Sequence, residues 1–209
     1  MALAHFGVLF TVHLEYKPLK EHIIITEKEY LRIEKILPNQ SLQRTQKSRA
    51  AEFCVLEVAV MDIFTVERLA WRMRNTIDAL PRQELPIPMS NFPKGACGDG
   101  SLLLGAFLVD SGFSGFEYVS AERGSHENET WASHGWLAKG DLVVDITADQ
   151  FPDGPAKVVV AEPSIWHSQF EVQSVEPSDF RKWTGVGTDH LHILYAKIGP
   201  LLFINKRND

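Results

Sequence analysis

The sequence predicts an α+β protein with helices first and an antiparallel sheet after them. Three observations carry this. Residues 50–80 hold apolar side chains at helical spacing. Ser101–Val109 (SLLLGAFLV) is apolar almost all round, as a buried helix is. After Phe116 the chain breaks into short β-rich runs separated by turn residues, without the alternation of strands and helices that builds a parallel sheet.

Taken in order, Val8–Tyr16 is rich in β-branched and aromatic residues and reads as a strand ended by Pro18, with His22–Ile25 as a second. Thr26, with Glu29 three residues on, forms a capping box for a helix to Leu37, closed by Pro38. Residues 1–40 are therefore a strand–helix segment, either an appendage or a layer on the main domain, and 41–209 are the principal domain. Ala50–Leu80 reads as helix in two pieces, with Phe53, Leu56, Val60, Phe64, Leu69 and Met73 as its stripe. Cys54 lies in that pattern as a small hydrophobe. Pro81, Pro86 and Pro88 form a connector. Beyond the buried helix, Phe116–Ala121 is a strand and Arg123–Thr130 a polar loop. Trp131–Leu137 and Leu142–Thr147 form a hairpin around 138–141. Val158–Ala161 is another strand, Ser178 caps a short helix through Trp183, and Asp189–Ile198 is the last helix.

Composition narrows the function. With 44% hydrophobic and 23% charged residues, the 209-residue chain can bury a core without staples. A net charge of −6 gives no general attraction to nucleic acid or anionic membranes. The short basic stretch Arg44–Arg49 has no interleaved aromatics and reads as a solvated loop before a helix. Two isolated cysteines, no basic leader before an apolar core and no apolar run of spanning length predict a cytoplasmic protein with free thiols. His190 and His192 are two apart and do not share a helix face, so no metal is expected, and no cofactor. Gly185 and Gly187 lack the third glycine and preceding strand of a nucleotide loop.

The chemistry concentrates after Asn91. Cys97, in FPKGACGDG, follows a Pro/Gly-rich loop and immediately precedes the apolar helix. A thiol there faces unpaired N–H groups and the positive end of the helix dipole, both of which favour thiolate. His134 heads one hairpin strand and Asp145 ends the next. Pairing 134–137 with 142–145 sets them nearly opposite, where the carboxylate can accept from one imidazole nitrogen and leave the other for the thiol.

The run GACGDGSLLL, then HGW, then VVDIT resembles the transglutaminase-like branch of the papain-like cysteine enzymes. The resemblance spans residues 91 to 150. It implies a papain/transglutaminase-like fold, with the nucleophile at the start of a buried helix packed on an antiparallel sheet. It also implies a triad of Cys97 as nucleophile, His134 as base and Asp145 as orienting carboxylate. Trp136 matches an aromatic that often follows the histidine. Where the family commonly has an oxyanion-binding glutamine, this chain has Asn91, a shorter amide donor. Asp99, Trp131, Ser133 and Trp136 are candidates for lining the substrate.

The implied activity is acyl transfer on an amide or peptide bond, in a small or protein substrate, through a thioester. Water makes the enzyme a hydrolase such as a thiol protease, amidase or deamidase; an amine makes it a transamidase. A non-enzymatic binding protein on the same scaffold is the alternative. The sequence leaves the oligomeric state open.

Overall fold

The computed structural model describes residues 9–13, 22–26, 46–184 and 187–203. The chain divides into two compact units, Met1–Val55 and Leu56–Asp209. In the first, β1 (Leu9–His13) and β2 (His22–Thr26) pair antiparallel, with Leu9 opposite Thr26. Thr26 ends β2 instead of opening a helix; the rest of that expected helix lies outside the described residues.

Helix α1 (Gln46–Asp78) is continuous, not two pieces, because no glycine or proline interrupts it. It begins early enough that Lys47 and Arg49 belong to its first turn, not to a loop. Its buried seam is Ile63, Val66, Ala70, Met73 and Ile77, a spacing of three and four. Phe64, expected on the stripe, is only half-buried, whereas Leu69 and Met73 are buried as expected.

Helix α2 (Cys97–Asp110) starts four residues earlier than the apolar run and includes the cysteine as its first residue. It packs on the sheet, and Ser101 donates from Oγ to the Gly135 carbonyl at 3.1 Å. That hydroxyl ties the helix to a strand. Gly105 allows a close crossing: a Cβ there would lie 2.1 Å from the Ser178 carbonyl oxygen.

The sheet contains β3 (Glu117–Arg123), β4 (Ala132–Lys139), β5 (Leu142–Asp145), β6 (Val159–Ala161) and β7 (Glu171–Pro177). Its order is β6-β5-β4-β3-β7, antiparallel throughout. The architecture is thus α+β, as expected. Strand β7 was not anticipated. Val119 faces Val175 and Ser120 faces Ser174, but Ala121 faces Val172, so Gln173 is the extra residue of a bulge. The bulge spaces Val172 and Val175 three apart and removes the alternation that marks a strand.

A short 3-10 turn at Phe180–Lys182 follows. Its cap is Asp179, which accepts from the Arg181 N–H at 3.0 Å, whereas Ser178 Oγ donates to the Phe116 carbonyl. Helix α3 (Asp189–Phe203) extends past the expected end at Ile198 and accommodates Pro200. No helix of the described residues is long and apolar enough to cross a membrane.

Candidate active site

Cys97 is half-buried at the first position of α2. The loop before it turns through Gly95, whose φ of +69° favours glycine. Gly95 N–H donates to Gln150 Oε1 at 3.1 Å, which ties the loop to the short turn Ala148–Gln150 that follows β5. As the first helical residue, Cys97 has a backbone N–H with no intrahelical acceptor.

Strands β4 and β5 bring the other two residues together by a register different from the one expected. Leu137 faces Val144 and Lys139 faces Leu142, so the loop is only Gly140–Asp141. Gly140, at φ +59°, supplies the left-handed first position of a type II′ hairpin turn. Carried on, this register sets Asp145 across from Trp136 and makes His134 its diagonal neighbour. The shift is by two residues, so both side chains stay on one face, and a diagonal pair is within reach of long side chains.

His134 Nε2 lies 2.7 Å from Asp145 Oδ2, with both side chains buried. The remaining ring nitrogen, Nδ1, lies 3.2 Å from Gln150 Nε2. Cys97 is near enough that its thiol and the His134 ring shift each other's protonation, with the Gly135 backbone and the Gln150 side chain acting on the thiol in the same direction. Burial pushes the Cys97 thiol up, but the His134 hydrogen bond and charge, the Gly135 N–H and Gln150 outweigh it and hold it below its ordinary value. Burial pulls His134 down, yet its hydrogen bonds to Asp145 and Cys97 and their charges raise it to about 9. The two directions agree: the pair favours thiolate and imidazolium.

A fully buried carboxylate costs several kcal/mol unless it is well bonded. Burial drives Asp145 up, but hydrogen bonds from His134 and His167 hold it well below the usual carboxylate range. Its Oδ1 accepts from the Thr147 N–H at 2.7 Å and Thr147 Oγ1 at 2.9 Å. Its Oδ2 accepts from His134 and from His167 Nε2 at 3.1 Å. His134, Asp145 and His167 offer three ligand atoms within 4.8 Å of one another. Their separations are those of N–H···O bonds, and a cation would have to replace both protons.

The remaining candidates are placed as follows. Asn91 is exposed, its carbonyl accepts from Lys94 N–H, and its side chain makes no hydrogen bond among the described residues. The amide beside the thiol is that of Gln150. Asp99, half-buried in the first turn of α2, pairs through Oδ2 with His190 Nε2 at 2.8 Å. Trp131 is exposed, stacks on His126 at 4.5 Å and donates to Glu122. Ser133 is exposed and alternates with His134, so it points to the opposite sheet face. Trp136 is buried and packs behind the imidazoles, 5.7 Å from His134 and 4.8 Å from His167. It forms the wall beneath the site and lines no opening.

Gln150, Gly135, His167 and Tyr118 are the neighbours that the sequence did not single out. The Tyr118 hydroxyl fills the space a Cβ on Gly135 would take, at 2.6 Å. Burial first, and then the Cys97 charge, push this phenol up to about 12, so it stays a donor. Its ring meets Trp183 edge-on at 6.0 Å. Only HGW, with glycine after the histidine, carried a trace of this in the sequence. Compared with known proteins, the chain matches no family model, no curated protein and no solved structure.

Proposed function

We propose that the protein is a cysteine-dependent acyl-transfer enzyme on a papain/transglutaminase-like scaffold, cleaving an amide or peptide bond through a thioester. The observation that carries this reading is one chain of contacts: a half-exposed thiol at a helix start, His134 on its one side, and the buried Asp145 on the far nitrogen of that imidazole. A polar core for packing alone has no need of a thiol held below its ordinary value.

The Cys97 thiolate attacks the carbonyl carbon and the oxygen takes the electron pair. The Cys97 N–H and the Gln150 amide are the donors for that oxyanion. As the tetrahedral intermediate collapses, His134 gives its Nδ1 proton to the leaving amine. His134 then takes a proton from water, or from an incoming amine, which resolves the thioester and frees the thiol. Asp145 keeps the imidazole in the tautomer and orientation that both steps need. A reactive free thiol of this kind fits a cytoplasmic setting.

The test is the rate of iodoacetamide alkylation at Cys97, followed by mass spectrometry from pH 4 to 10, in the wild type and His134→Ala. Labelling with a midpoint well below about 8.5, shifted up in the mutant, is expected. Amide and ester substrates are then screened with and without a primary amine, and Cys97→Ala should lose turnover by about 10⁴-fold or more. A wild-type midpoint at or above the ordinary value, unmoved by His134→Ala, would sink the proposal and favour a binding protein.

A further inference from the structure

Asp145 Oδ2 serves two imidazoles, and the triad uses only one of them. His167 is buried in the short turn His167–Gln169, far from Asp145 in sequence, with Nε2 3.1 Å from Oδ2. Its other ring nitrogen is also taken: Ser164 Oγ lies 2.7 Å from His167 Nδ1, and both groups are buried. The Asp145 carboxylate can only accept, so it is Nε2 of His167 that carries a proton and donates to it, while Nδ1 is engaged by the Ser164 hydroxyl. The ring is clamped besides, with Trp136 and Trp166 each 4.8 Å away and His134 stacked at 5.9 Å.

A packing residue explains neither end of this chain. A leucine would fill the space without needing a buried serine, and a carboxylate already bonded by His134 and twice by Thr147 is no longer an orphan. What the second imidazole adds is direction. Thr147 holds Oδ1, and His167 holds Oδ2, so the carboxylate plane is fixed from both ends while His134 moves its proton. We propose that His167 is a positioning residue of this site: with its ring anchored by Ser164, it holds Asp145 in the orientation that aims His134 at Cys97. This rests on the reading of Cys97, His134 and Asp145 as a catalytic triad. Partners that orient a metal-binding histidine from behind typically contribute about 10- to 100-fold in affinity or activity, and the same scale is expected for this arrangement.

The test compares His167→Leu, His167→Gln and Ser164→Ala in the full chain, with Cys97 alkylation from pH 4 to 10 and the thermal midpoint measured together. The glutamine amide can place a donor where Nε2 was, and the leucine cannot. His167→Leu is expected to raise the Cys97 midpoint and slow alkylation at pH 6 by about 10-fold, while His167→Gln recovers to within about threefold. Ser164→Ala, which removes the hydroxyl that anchors Nδ1, should fall between them; it decides the matter if His167→Leu does not fold. The proposal is overturned if Ser164→Ala and His167→Leu alkylate as the wild type does, or if leucine and glutamine lose equally. An activated wild-type Cys97 in those cases leaves the triad standing and removes only His167; an ordinary wild-type thiol removes both.

Discussion

Two buried charged clusters share the segment 145–150 and end differently. Arg74, 2% exposed, donates to Asp149 through two nitrogens at 2.6 and 2.8 Å, to Asp78 at 3.0 Å and to the Ile146 and Lys157 carbonyls. Burial pulls its charge down and the two carboxylates more than restore it. Every bond of this cluster ends on a group that is itself held, so it fixes the turn that carries Gln150. The Asp145 cluster is as fully bonded at its core, but its last member is the half-exposed Cys97. A closed network stabilises a loop; one that ends on a thiol held below its ordinary value leaves a charge at its open end.

The sharpest way to break this contrast is at Arg74. Arg74→Met leaves two carboxylates and two carbonyls without their donor and should cost about 3–5 kcal/mol in urea unfolding. The Cys97 alkylation midpoint of the folded protein should stay near the wild-type value. A large shift of that midpoint would mean that the two clusters are one.

Gln150 is the bridge between them and the next test. Gln150→Ala should lower turnover by about 100- to 1000-fold, the usual cost of losing one oxyanion donor, with a stability loss of about 1 kcal/mol for its bond to Gly95. Asn91→Ala, at an exposed side chain without hydrogen bonds, should leave the rate within about twofold. The reverse pattern would return the oxyanion role to Asn91.

The smallest effect lies in how stability depends on pH. His134 is raised to about 9 when folded, so its contribution is complete below its unfolded value near 6.5 and disappears as pH rises through 9. Asp145 is depressed, so its contribution is present above about 4 and lost as pH falls below that. Cys97 is held below its ordinary value, so its contribution grows as pH rises and offsets the loss from His134 above about 6.5. Urea unfolding should therefore show its decline of about 1–3 kcal/mol on the acid side, below about pH 4. Asp145→Asn should flatten that limb, and Arg74→Met should leave its shape intact. Matching acid limbs in Asp145→Asn and the wild type would show that Asp145 is not linked to folding.

Which parts were legible follows from how local the signal is. Cys97 could be placed because a Gly-rich loop running into an apolar helix is written within a few residues. His134 and Asp145 could be put on one sheet face because strand parity survives a two-residue error in register. On α1 the expected stripe held at Leu69 and Met73 but missed at Phe64, because the buried seam there steps through Ile63 and Val66. Gln150 and His167 left no trace. Each sits in a three-residue 3-10 turn, with no period to read, and reaches the site through long-range contacts. Strand β7 was hidden by its own bulge at Gln173.

Gly135 has a consequence of a different order. Its backbone helps hold the thiol below its ordinary value, and the place of its missing side chain is held by the Tyr118 hydroxyl and ring edge, 2.6 and 2.8 Å from where a Cβ would be. A single methyl there meets a phenol braced against Trp183. A residue with no reactive atom therefore has almost no room to vary. In the descent of such a protein, position 135 is governed by exclusion, and its tolerance to change falls in step with that of the thiol beside it.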